Sequence, residues 1–442
     1  MNKYGQEEIA NLTKVIESND FADHAGGFMD QFRQDFAKAT NSKYAITAAT
    51  AMLLMQAIPG AIGAVDGDEI ICDPVVQFHG IACMHTRLTP VWADVRPDNF
   101  LMDADNVEKL ITPRTKAIWV THLWGYAAEV DKLREICDRH GIYLLEDCAH
   151  VCLGEYKGKK LGTWGHIGTF SFNMGKQLAT GEGGVAITND DKLYFELNRR
   201  IIFGESPEVL SSNYRMTEFQ ASVAVPQLRK LPSYLGQYRE SKEILDEAIV
   251  GCEWLDPRSV IPYNLVAPYF WSCLFHGERK GIDINSFKAA FRQVGAPFGT
   301  GFLQVPAYLY NLFHIYSGKK DWPIGLCPVA EDVIPRIVHT NNMIWPEKAV
   351  KVAAQLKEAI QLVEGGKVVP LEYSDLEKKI LDTVKQLGPS EPIEVIEYFD
   401  AKGWKHLYEH SMFMLMEDLR GRTPYKLSHA GPRKFIYHDL SH

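Results

Sequence analysis

Short apolar runs alternate with helical patterns along the first half of the chain, from about residue 43 to about residue 190. One helical pattern runs from residue 130 to residue 140 and stops at Gly141, a residue type that often closes helices. The apolar runs that indicate β-strands lie at residues 69–72, 116–121, 141–145 and 185–188. Alternation of this kind is typical of βαβ units, so the sequence predicts an α/β fold with a mainly parallel central sheet.

The second half of the chain has a different pattern. Helical periodicity dominates from about residue 190 to about residue 250, and a candidate strand at 269–275 and a helix at 285–294 follow. A further helical pattern at 348–363 ends before Gly365. The sequence therefore predicts three parts, namely an N-terminal segment with a large α/β domain at 1–240, a small α+β domain at 241–368 and a C-terminal extension at 369–442.

The C-terminal extension has its own pattern of three helices followed by a β-hairpin, an order that resembles a winged-helix module. The apolar face of its first helix is formed by Leu376, Ile380, Val384 and Leu387, and residues 426–438 suggest the hairpin. Such a module could bind DNA, but residues 374–442 carry ten basic and eleven acidic side chains. Because attraction to nucleic-acid phosphates depends on positive charge, we expect a structural or protein-binding appendage and no nucleic-acid partner.

Composition is that of a globular protein. The 442 residues are 46% hydrophobic and 23% charged, and the formal net charge of −9 gives no basic footprint for nucleic acid. No apolar run approaches the length of a membrane span, and the N-terminal segment has no apolar signal core. The eight cysteines are scattered without a Cys-x-x-Cys pair, so we expect reduced thiols, no metal site and a cytoplasmic location.

The clearest chemical signal is a lysine in a glycine- and hydroxyl-rich turn, SFNMGKQLATGEGG at residues 171–184. Upstream, an apolar strand leads to Asp147, at the strand end where ligands of parallel sheets bind. A deprotonated lysine such as Lys176 forms Schiff bases with carbonyls, and pyridoxal 5'-phosphate (PLP) sites pair this lysine with a carboxylate that keeps the ring nitrogen protonated. Ser171 and Thr50 offer hydroxyl donors to a phosphate. Together these residues predict a PLP site.

Three segments carry a family resemblance: EDCAH at 146–150, GTFSFNMGKQLATGEGGVAIT at 168–188 and NYRMTEFQASVAVPQL at 213–228. In order and spacing they resemble the DegT/DnrJ/EryC1/StrS group of PLP-dependent sugar and cyclitol aminotransferases, most densely over residues 20–230. A dehydratase branch of that group has histidine at the Schiff-base position, and Lys176 separates this chain from it. The resemblance implies the aspartate aminotransferase-like fold of type I PLP enzymes.

The resemblance also implies roles for individual residues. Lys176 would bind the cofactor and shuttle protons, and Asp147 would keep the ring nitrogen protonated. His150 stands where relatives usually have a glutamine that contacts the phenolic oxygen of the cofactor. Phe78 stands where relatives stack an aromatic ring on the cofactor.

Phosphate contacts map, by the same resemblance, to Ala49, Thr50 and Ser171. Relatives usually read Ser-Gly-Thr where this chain has Ala48, Ala49 and Thr50, so backbone N–H groups and the Thr50 hydroxyl are the expected donors. The asparagine of relatives that corresponds to Asn213 reaches the phosphate from the neighbouring subunit. The resemblance therefore implies a homodimer with shared active sites.

The implied reaction moves an amino group from glutamate or glutamine to a keto sugar, a keto cyclitol or a related intermediate of secondary-metabolite or antibiotic biosynthesis. The alternative is a PLP-binding transcriptional regulator that uses the winged-helix-like extension. Known regulators of that design carry the DNA-binding module before the PLP domain, whereas the order here is reversed. Chain order and the acidic net charge both favour the aminotransferase.

Overall fold

The computed structural model describes residues 3–204, 206–301, 303, 305–316, 322–340, 343–369, 380, 382–386, 427–429 and 435–437. Packing divides the chain into two compact units, each built from several segments. Unit 1 comprises Met1–Glu247, Arg258–Trp271 and Thr340–Lys351, and unit 2 comprises Ala248–Pro257, Ser272–His339 and Val352–His442. The predicted three-part division, with boundaries at 240 and 368, stays a prediction.

The α-helices of the chain up to residue 248 are α1 (Gln6–Ser18), α2 (Phe28–Thr40), α3 (Ala51–Ala61), α4 (Phe78–His85), α5 (Ala104–Val107), α6 (Val130–His140), α7 (Asp191–Ile201) and α8 (Glu218–Ala248). Helices α2, α3, α4, α6 and α7 contact strands of a central sheet. Helix α6 has the predicted bounds, and Gly141 closes it with a left-handed φ of 63° that favours glycine. Among the described residues, no helix combines the length and the apolarity needed to cross a membrane.

The central sheet of unit 1 has seven strands in the order β1-β9-β8-β5-β4-β2-β3. The strands of this unit are β1 (Tyr44–Ala48), β2 (Glu69–Cys72), β3 (Thr89–Trp92), β4 (Thr115–Thr121), β5 (Tyr143–Asp147), β6 (Glu155–Tyr156), β7 (Lys159–Lys160), β8 (Ile167–Ser171), β9 (Gly184–Thr188) and, later in the chain, β11 (Asn264–Leu265). Within the seven-stranded sheet, β9 runs antiparallel to its neighbours β1 and β8, and the other neighbouring strands pair in parallel. The predicted mainly parallel sheet is confirmed.

The carboxyl ends of β1, β5 and β8 lie at one edge of this sheet. Ala48 is opposite Gly184, and Gly184 is opposite Ser171, so the first residue of β9 lies between the last residues of β1 and β8. Asp147 ends β5, the strand beside β8. A Cβ atom on Gly184 would lie 2.4 Å from the backbone nitrogen of Ala51. Glycine therefore permits the N-terminus of α3 to approach the sheet at this edge.

An aromatic cluster anchors the strand that leads into the lysine turn. Phe32 and Phe36 of α2 contact Phe170 and Phe172 edge to face, with ring centroids 5.0 to 5.7 Å apart. All four rings are fully buried. Because Phe172 directly follows β8, this packing fixes the start of the turn that contains Lys176.

Unit 2 contains a four-stranded sheet in the order β10-β12-β14-β13. The remaining elements of the body of the chain are β10 (Leu255–Pro257), β12 (Ser272–Phe275), α9 (Ile284–Val294), β13 (Phe298–Thr300), α10 (Asn311–Tyr316), α11 (Pro328–Val333), β14 (Ile337–Thr340) and α12 (Pro346–Glu364). The predicted helices at 285–294 and 348–363 are confirmed. The strand predicted at 269–275 begins only at Ser272, because the backbone N–H of Tyr269 bonds to the distant carbonyl of Trp124 instead of to a strand neighbour.

The extension is described in part. Residues 380 and 382–386 are helical, and Ile380 and Val384 are fully buried, as their place on a predicted apolar face requires. Strands β15 (Leu427–His429) and β16 (Phe435–Tyr437) pair antiparallel across the segment predicted as a hairpin. The rest of the winged-helix-like pattern lies outside the described residues, and the regulator hypothesis that depends on it gains no support from the structure.

Candidate active site

Asp147 ends β5 at the carboxyl edge of the sheet and is buried. Its Oδ2 lies 3.1 Å from Nε2 of His79, and its Oδ1 accepts a hydrogen bond from the Ala149 N–H at 2.9 Å. Burial by itself would raise the pKa of this carboxyl, but the His79 hydrogen bond, the electrostatic influence of His79 and His150, and the Ala149 N–H hold the pKa below its ordinary value. Asp147 is therefore an ionised acceptor, the form that keeps a pyridine nitrogen protonated.

Lys176 lies in the turn after β8, where its backbone N–H donates to the carbonyl of Asn173 at 2.8 Å. Its Nζ is 4.8 Å from the centroid of the Tyr269 ring. Burial lowers the pKa of this amine to about 8, and the nearby Asp147 opposes the shift. An amine with this pKa is partly deprotonated near neutral pH, and the deprotonated form is the one that attacks carbonyls.

Tyr269 contacts both the lysine and another predicted site residue. Its ring stacks on His150, with centroids 4.7 Å apart and planes 14° apart, and on Phe270 at 4.2 Å. Burial lowers the pKa of His150 well below its usual value, and the proximity of Lys176 lowers it further. His150 is thus a neutral imidazole at neutral pH, with one ring N–H to donate.

Gln177, the residue after the lysine, joins three segments of the site. Its Oε1 accepts the backbone N–H of Cys152 at 2.8 Å, and its Nε2 donates to the carbonyl of Pro268 at 3.1 Å. The side chain is buried. Since Cys152 lies just after His150 and Pro268 just before Tyr269, this one amide fixes the lysine turn relative to both stacked rings.

A turn after β4 holds the Tyr269 segment as well. The N–H of Tyr269 donates to the carbonyl of Trp124, and the N–H of Ala267 donates to the carbonyl of Gly125, each at 3.1 Å. A Cβ atom on Gly125 would lie only 1.8 Å from the Ala267 carbonyl oxygen, and its φ of 95° is one that other residues rarely adopt. A side chain at position 125 would collide with the segment that carries Tyr269, so the observed position of Tyr269 requires glycine here.

The N-terminus of α3 provides donors for a phosphate. Thr50 is the N-cap, and its Oγ1 accepts the N–H of Leu53 at 3.2 Å while its own hydroxyl proton remains able to donate. The N–H of Ala49 donates to the carbonyl of Tyr214 at 2.7 Å, and the carbonyl of Ala49 accepts from Gln220 at 3.3 Å. The Ala49 N–H thus already has an acceptor in the chain, and a phosphate contact of Ala49 stays a prediction. The donors left at this helix end are the Thr50 hydroxyl and the first-turn N–H groups other than that of Leu53, because such groups have no acceptor within the helix.

The other predicted cofactor residues lie at the strand and helix ends of the same unit. Ser171 ends β8, and its Oγ accepts the N–H of Asn173 at 3.4 Å. Phe78 begins α4 and is 38% exposed, so part of a large apolar ring remains accessible. Asn213 is exposed, and its Oδ1 accepts from Nε of Arg215 at 3.0 Å. Contacts of these side chains with a cofactor stay predictions.

The sequence pattern does not single out three residues that shape the site: His79, Tyr269 and Gln177. Each acts through a partner that is distant along the chain, as in the 68-residue separation of His79 and Asp147. The adjacency of Gln177 to Lys176 was the one local signal that could have drawn attention to it.

A buried group beside the site has the composition of a metal centre. His122, Glu146 and Cys148 place one ligand-type atom each within 4.8 Å of one another. Nδ1 of His122 accepts the N–H of Ala128 at 3.1 Å, so Nε2 carries the proton that points to Glu146 at 3.0 Å. Both ring nitrogens of His122 are thus already used in hydrogen bonds, and His122 and Glu146 form a structural pair.

The residues present fit PLP. They supply an amine with a lowered pKa on Lys176, an ionised carboxylate on Asp147 and phosphate donors at the start of α3, all at the carboxyl edge of one sheet. An α/β fold of this kind with a lysine and a carboxylate so arranged is typical of fold type I PLP-dependent enzymes.

Comparison with known proteins names the family. Residues 2–357 match the DegT/DnrJ/EryC1/StrS aminotransferase family, and the chain belongs to it. It is 33% identical over 324 residues to L-glutamine:2-deoxy-scyllo-inosose aminotransferase of Streptomyces kanamyceticus, covering 69% of this chain and 74% of that enzyme.

Two further proteins extend the comparison. The chain is 29% identical over 349 residues to a putative L-glutamine:3-amino-2,3-dideoxy-scyllo-inosose aminotransferase of Micromonospora echinospora, covering 76% of this chain and 83% of that protein. Among solved structures, DesV of S. venezuelae superposes with a TM-score of 0.73 at 25% identity, covering 80% of this chain and 94% of DesV. The expected PLP-dependent aminotransferase fold is confirmed.

The lowered pKa of Lys176 makes the stability of the cofactor-free protein depend on pH. The folded chain releases the Lys176 proton near pH 8 and the unfolded chain near pH 10.5, so folding is favoured increasingly as pH rises between these values. Relative to Lys176→Met, the wild-type free energy of unfolding should rise by on the order of 3 kcal/mol between pH 8 and pH 10.5. Chemical denaturation at several pH values measures this difference. The Lys192→Met variant, which loses an exposed lysine and keeps Lys176, is the control, and its free energy of unfolding should follow that of the wild type across this pH range.

Proposed function

We propose that this chain is a homodimeric aminotransferase that transfers the amino group of glutamine or glutamate to a keto cyclitol or a keto sugar. The observation that carries the proposal is the pairing, within one buried site, of the Lys176 amine of lowered pKa with the ionised Asp147 carboxylate. Bound PLP supplies an electron sink for moving the amino group. The protein supplies the groups that hold it and that move protons.

Each predicted residue has a role that its position supports. Lys176 holds the cofactor through Nζ and then carries the proton between substrate positions. Asp147 keeps the ring nitrogen protonated, and His150, a neutral donor, contacts the phenolic oxygen. Phe78 offers its accessible ring face to the cofactor. The phosphate is held by a further set of residues: Thr50, Ser171, Asn213 and the first turn of α3 beside Ala49.

The names of the relatives support a proposal for the acceptor class. The two curated proteins compared above are named for L-glutamine as donor and for inosose derivatives, which are keto cyclitols, as acceptors. We therefore place glutamine and a keto cyclitol first, with nucleotide-linked keto sugars as the second acceptor class. A role in secondary-metabolite or antibiotic biosynthesis and a cytoplasmic location stay predictions.

Borohydride reduction tests the lysine. With PLP added, the purified protein should become yellow, and reduction should fix the cofactor to Nζ of Lys176, as peptide mapping by mass spectrometry would show. Lys3 is the matched amine, because burial also lowers its pKa to about 8 and its Nζ lies 2.8 Å from the Lys176 carbonyl oxygen. Lys176→Ala should abolish the colour and turnover, and Lys3→Met should retain the colour. An adduct on Lys3 would refute the assignment.

Labelled donors test the substrate class. Glutamine and glutamate that carry ¹⁵N in the α-amino group should transfer the label to 2-deoxy-scyllo-inosose, and mass spectrometry would detect the labelled amine. We expect slower transfer to nucleotide-linked keto sugars. Asp147→Asn should bind PLP and lose most of this transfer, because a neutral amide does not stabilise a protonated ring nitrogen. Label that enters only the nucleotide-linked sugars would replace the cyclitol assignment.

Paired variants test the shared site. Asn213→Ala should weaken PLP retention by roughly 10- to 150-fold, as expected for loss of one hydrogen bond to a charged acceptor. Asn189→Ala, at an exposed asparagine beyond the far end of β9, is the control and should retain PLP.

Co-expression decides which chain supplies the asparagine. In a heterodimer of Lys176→Ala and Asn213→Ala chains, one site is intact only if Asn213 acts across the subunit boundary. The Tyr214 carbonyl accepts the N–H of Ala49 within the same chain, so action within one chain is the competing arrangement. Restored PLP binding in the heterodimer supports the shared site, and its absence contradicts it.

A further inference from the structure

His79 is buried completely against the predicted cofactor carboxylate. It lies in the first turn of α4, directly after Phe78, and it is 0% exposed. Its ring stacks on Trp119 of β4, with centroids 5.1 Å apart and planes 15° apart. Its Nε2 lies 3.1 Å from Oδ2 of Asp147. The stacking fixes the plane of the imidazole, and the hydrogen bond fixes its direction.

We propose that His79 is a positioning residue for the aminotransferase site, whose Nε2–H holds the Asp147 carboxylate ionised and oriented for the cofactor ring nitrogen. The inference rests on the function proposed above. A carboxylate oxygen cannot donate when ionised, so Nε2 carries the proton in this hydrogen bond. Among the residues that the structure describes, Nδ1 of His79 has no hydrogen-bond partner, so Asp147 is the polar contact that the ring orientation serves.

The groups around Asp147 explain why this hydrogen bond decides its ionisation. His79, from α4, opposes the effect of burial most strongly, and His150 and the Ala149 N–H add to it. Lys176 is a further cationic neighbour. Asp73, which follows β2 and is fully buried, is the opposing negative neighbour. Asp147 and Asp73 share one buried region, where two negative charges repel each other. A hydrogen-bond donor on Asp147 lowers the pKa of Asp147 and so favours the ionised form of this carboxyl.

A second histidine–carboxylate pair in the same unit provides a comparison. His122 and Glu146 are separated by 3.0 Å and are both 0% exposed, so the geometry and burial match those of His79 and Asp147. Glu146 precedes Asp147 in β5, and successive side chains of a strand point to opposite faces of the sheet. Loss of either histidine removes a buried hydrogen bond, but only one of these pairs involves the carboxylate assigned to the cofactor.

The test compares PLP retention as pH is lowered in holoenzymes of the wild type, His79→Leu, His79→Gln and His122→Leu. Without the His79 donor the pKa of Asp147 rises, so its carboxylate takes up a proton at a higher pH. The pH at which half of the bound PLP absorbance is lost should therefore rise by about one to two units in His79→Leu. His79→Gln restores an N–H donor and should recover at least part of that shift. His122→Leu should lower the thermal midpoint without this shift.

A cofactor-free measurement keeps the inference testable where a leucine variant fails to fold. In full-length protein labelled with ¹⁵N-histidine, the Nε2 proton of His79 should resonate downfield and move upfield on Asp147→Asn. An unaltered signal, or equal PLP retention in His79→Leu and the wild type, would overturn the inference. If the wild type itself never binds PLP, the proposed function fails, whereas the histidine signal still reports on the hydrogen bond.

Discussion

Strand register at the carboxyl edge of the central sheet is the constraint on which the site depends. Ala48, Gly184 and Ser171 lie opposite one another in β1, β9 and β8, so the N-terminus of α3 and the lysine turn start from adjacent points. The missing side chain of Gly184 allows the Ala51 backbone to come close. A slip of one residue would move every side chain to the opposite face of the sheet and separate Asp147 from the lysine turn.

Strand register does not fix the side chains of the site that come from loops. Buried hydrogen bonds hold these loops in place. Gln177 joins the lysine turn to the segments that carry His150 and Tyr269, and the turn at Gly125 holds the Tyr269 segment through backbone hydrogen bonds. A buried polar group left without its partner costs about 1–3 kcal/mol. These contacts therefore select one loop conformation among several that the sheet would permit.

Sequence reasoning succeeds here where the signal is local. Strands β2, β4, β5 and β9, helix α6 with its closing Gly141, and the position of Asp147 at the end of β5 follow from short-range periodicity and residue type. It fails where a distant partner decides the conformation. The sequence predicts that Tyr269 begins a strand, yet its N–H donates to the carbonyl of Trp124 and the strand begins only at Ser272.

The two adjacent carboxylates of β5 show how surroundings assign a role to the same chemical group. Glu146 accepts hydrogen bonds from His122 and from the backbone N–H groups of Gly162 and Gly165, so three donors from the protein occupy it. Among the residues that the structure describes, Asp147 has two such donors, His79 and the Ala149 N–H. An ionised carboxylate can accept about four hydrogen bonds.

Three donors make Glu146 a fixed link between the strand end and the loop at 162–165. The two hydrogen-bond donors on Asp147 hold its carboxylate in one orientation and keep it ionised. This carboxylate can still accept a further N–H. The same pairing of histidine with carboxylate thus stabilises the fold at Glu146 and, at Asp147, holds the carboxylate that we propose to bind the cofactor. The two roles differ because the backbone N–H groups of Gly162 and Gly165 donate to Glu146, whereas the backbone N–H of Ala149 donates to Asp147.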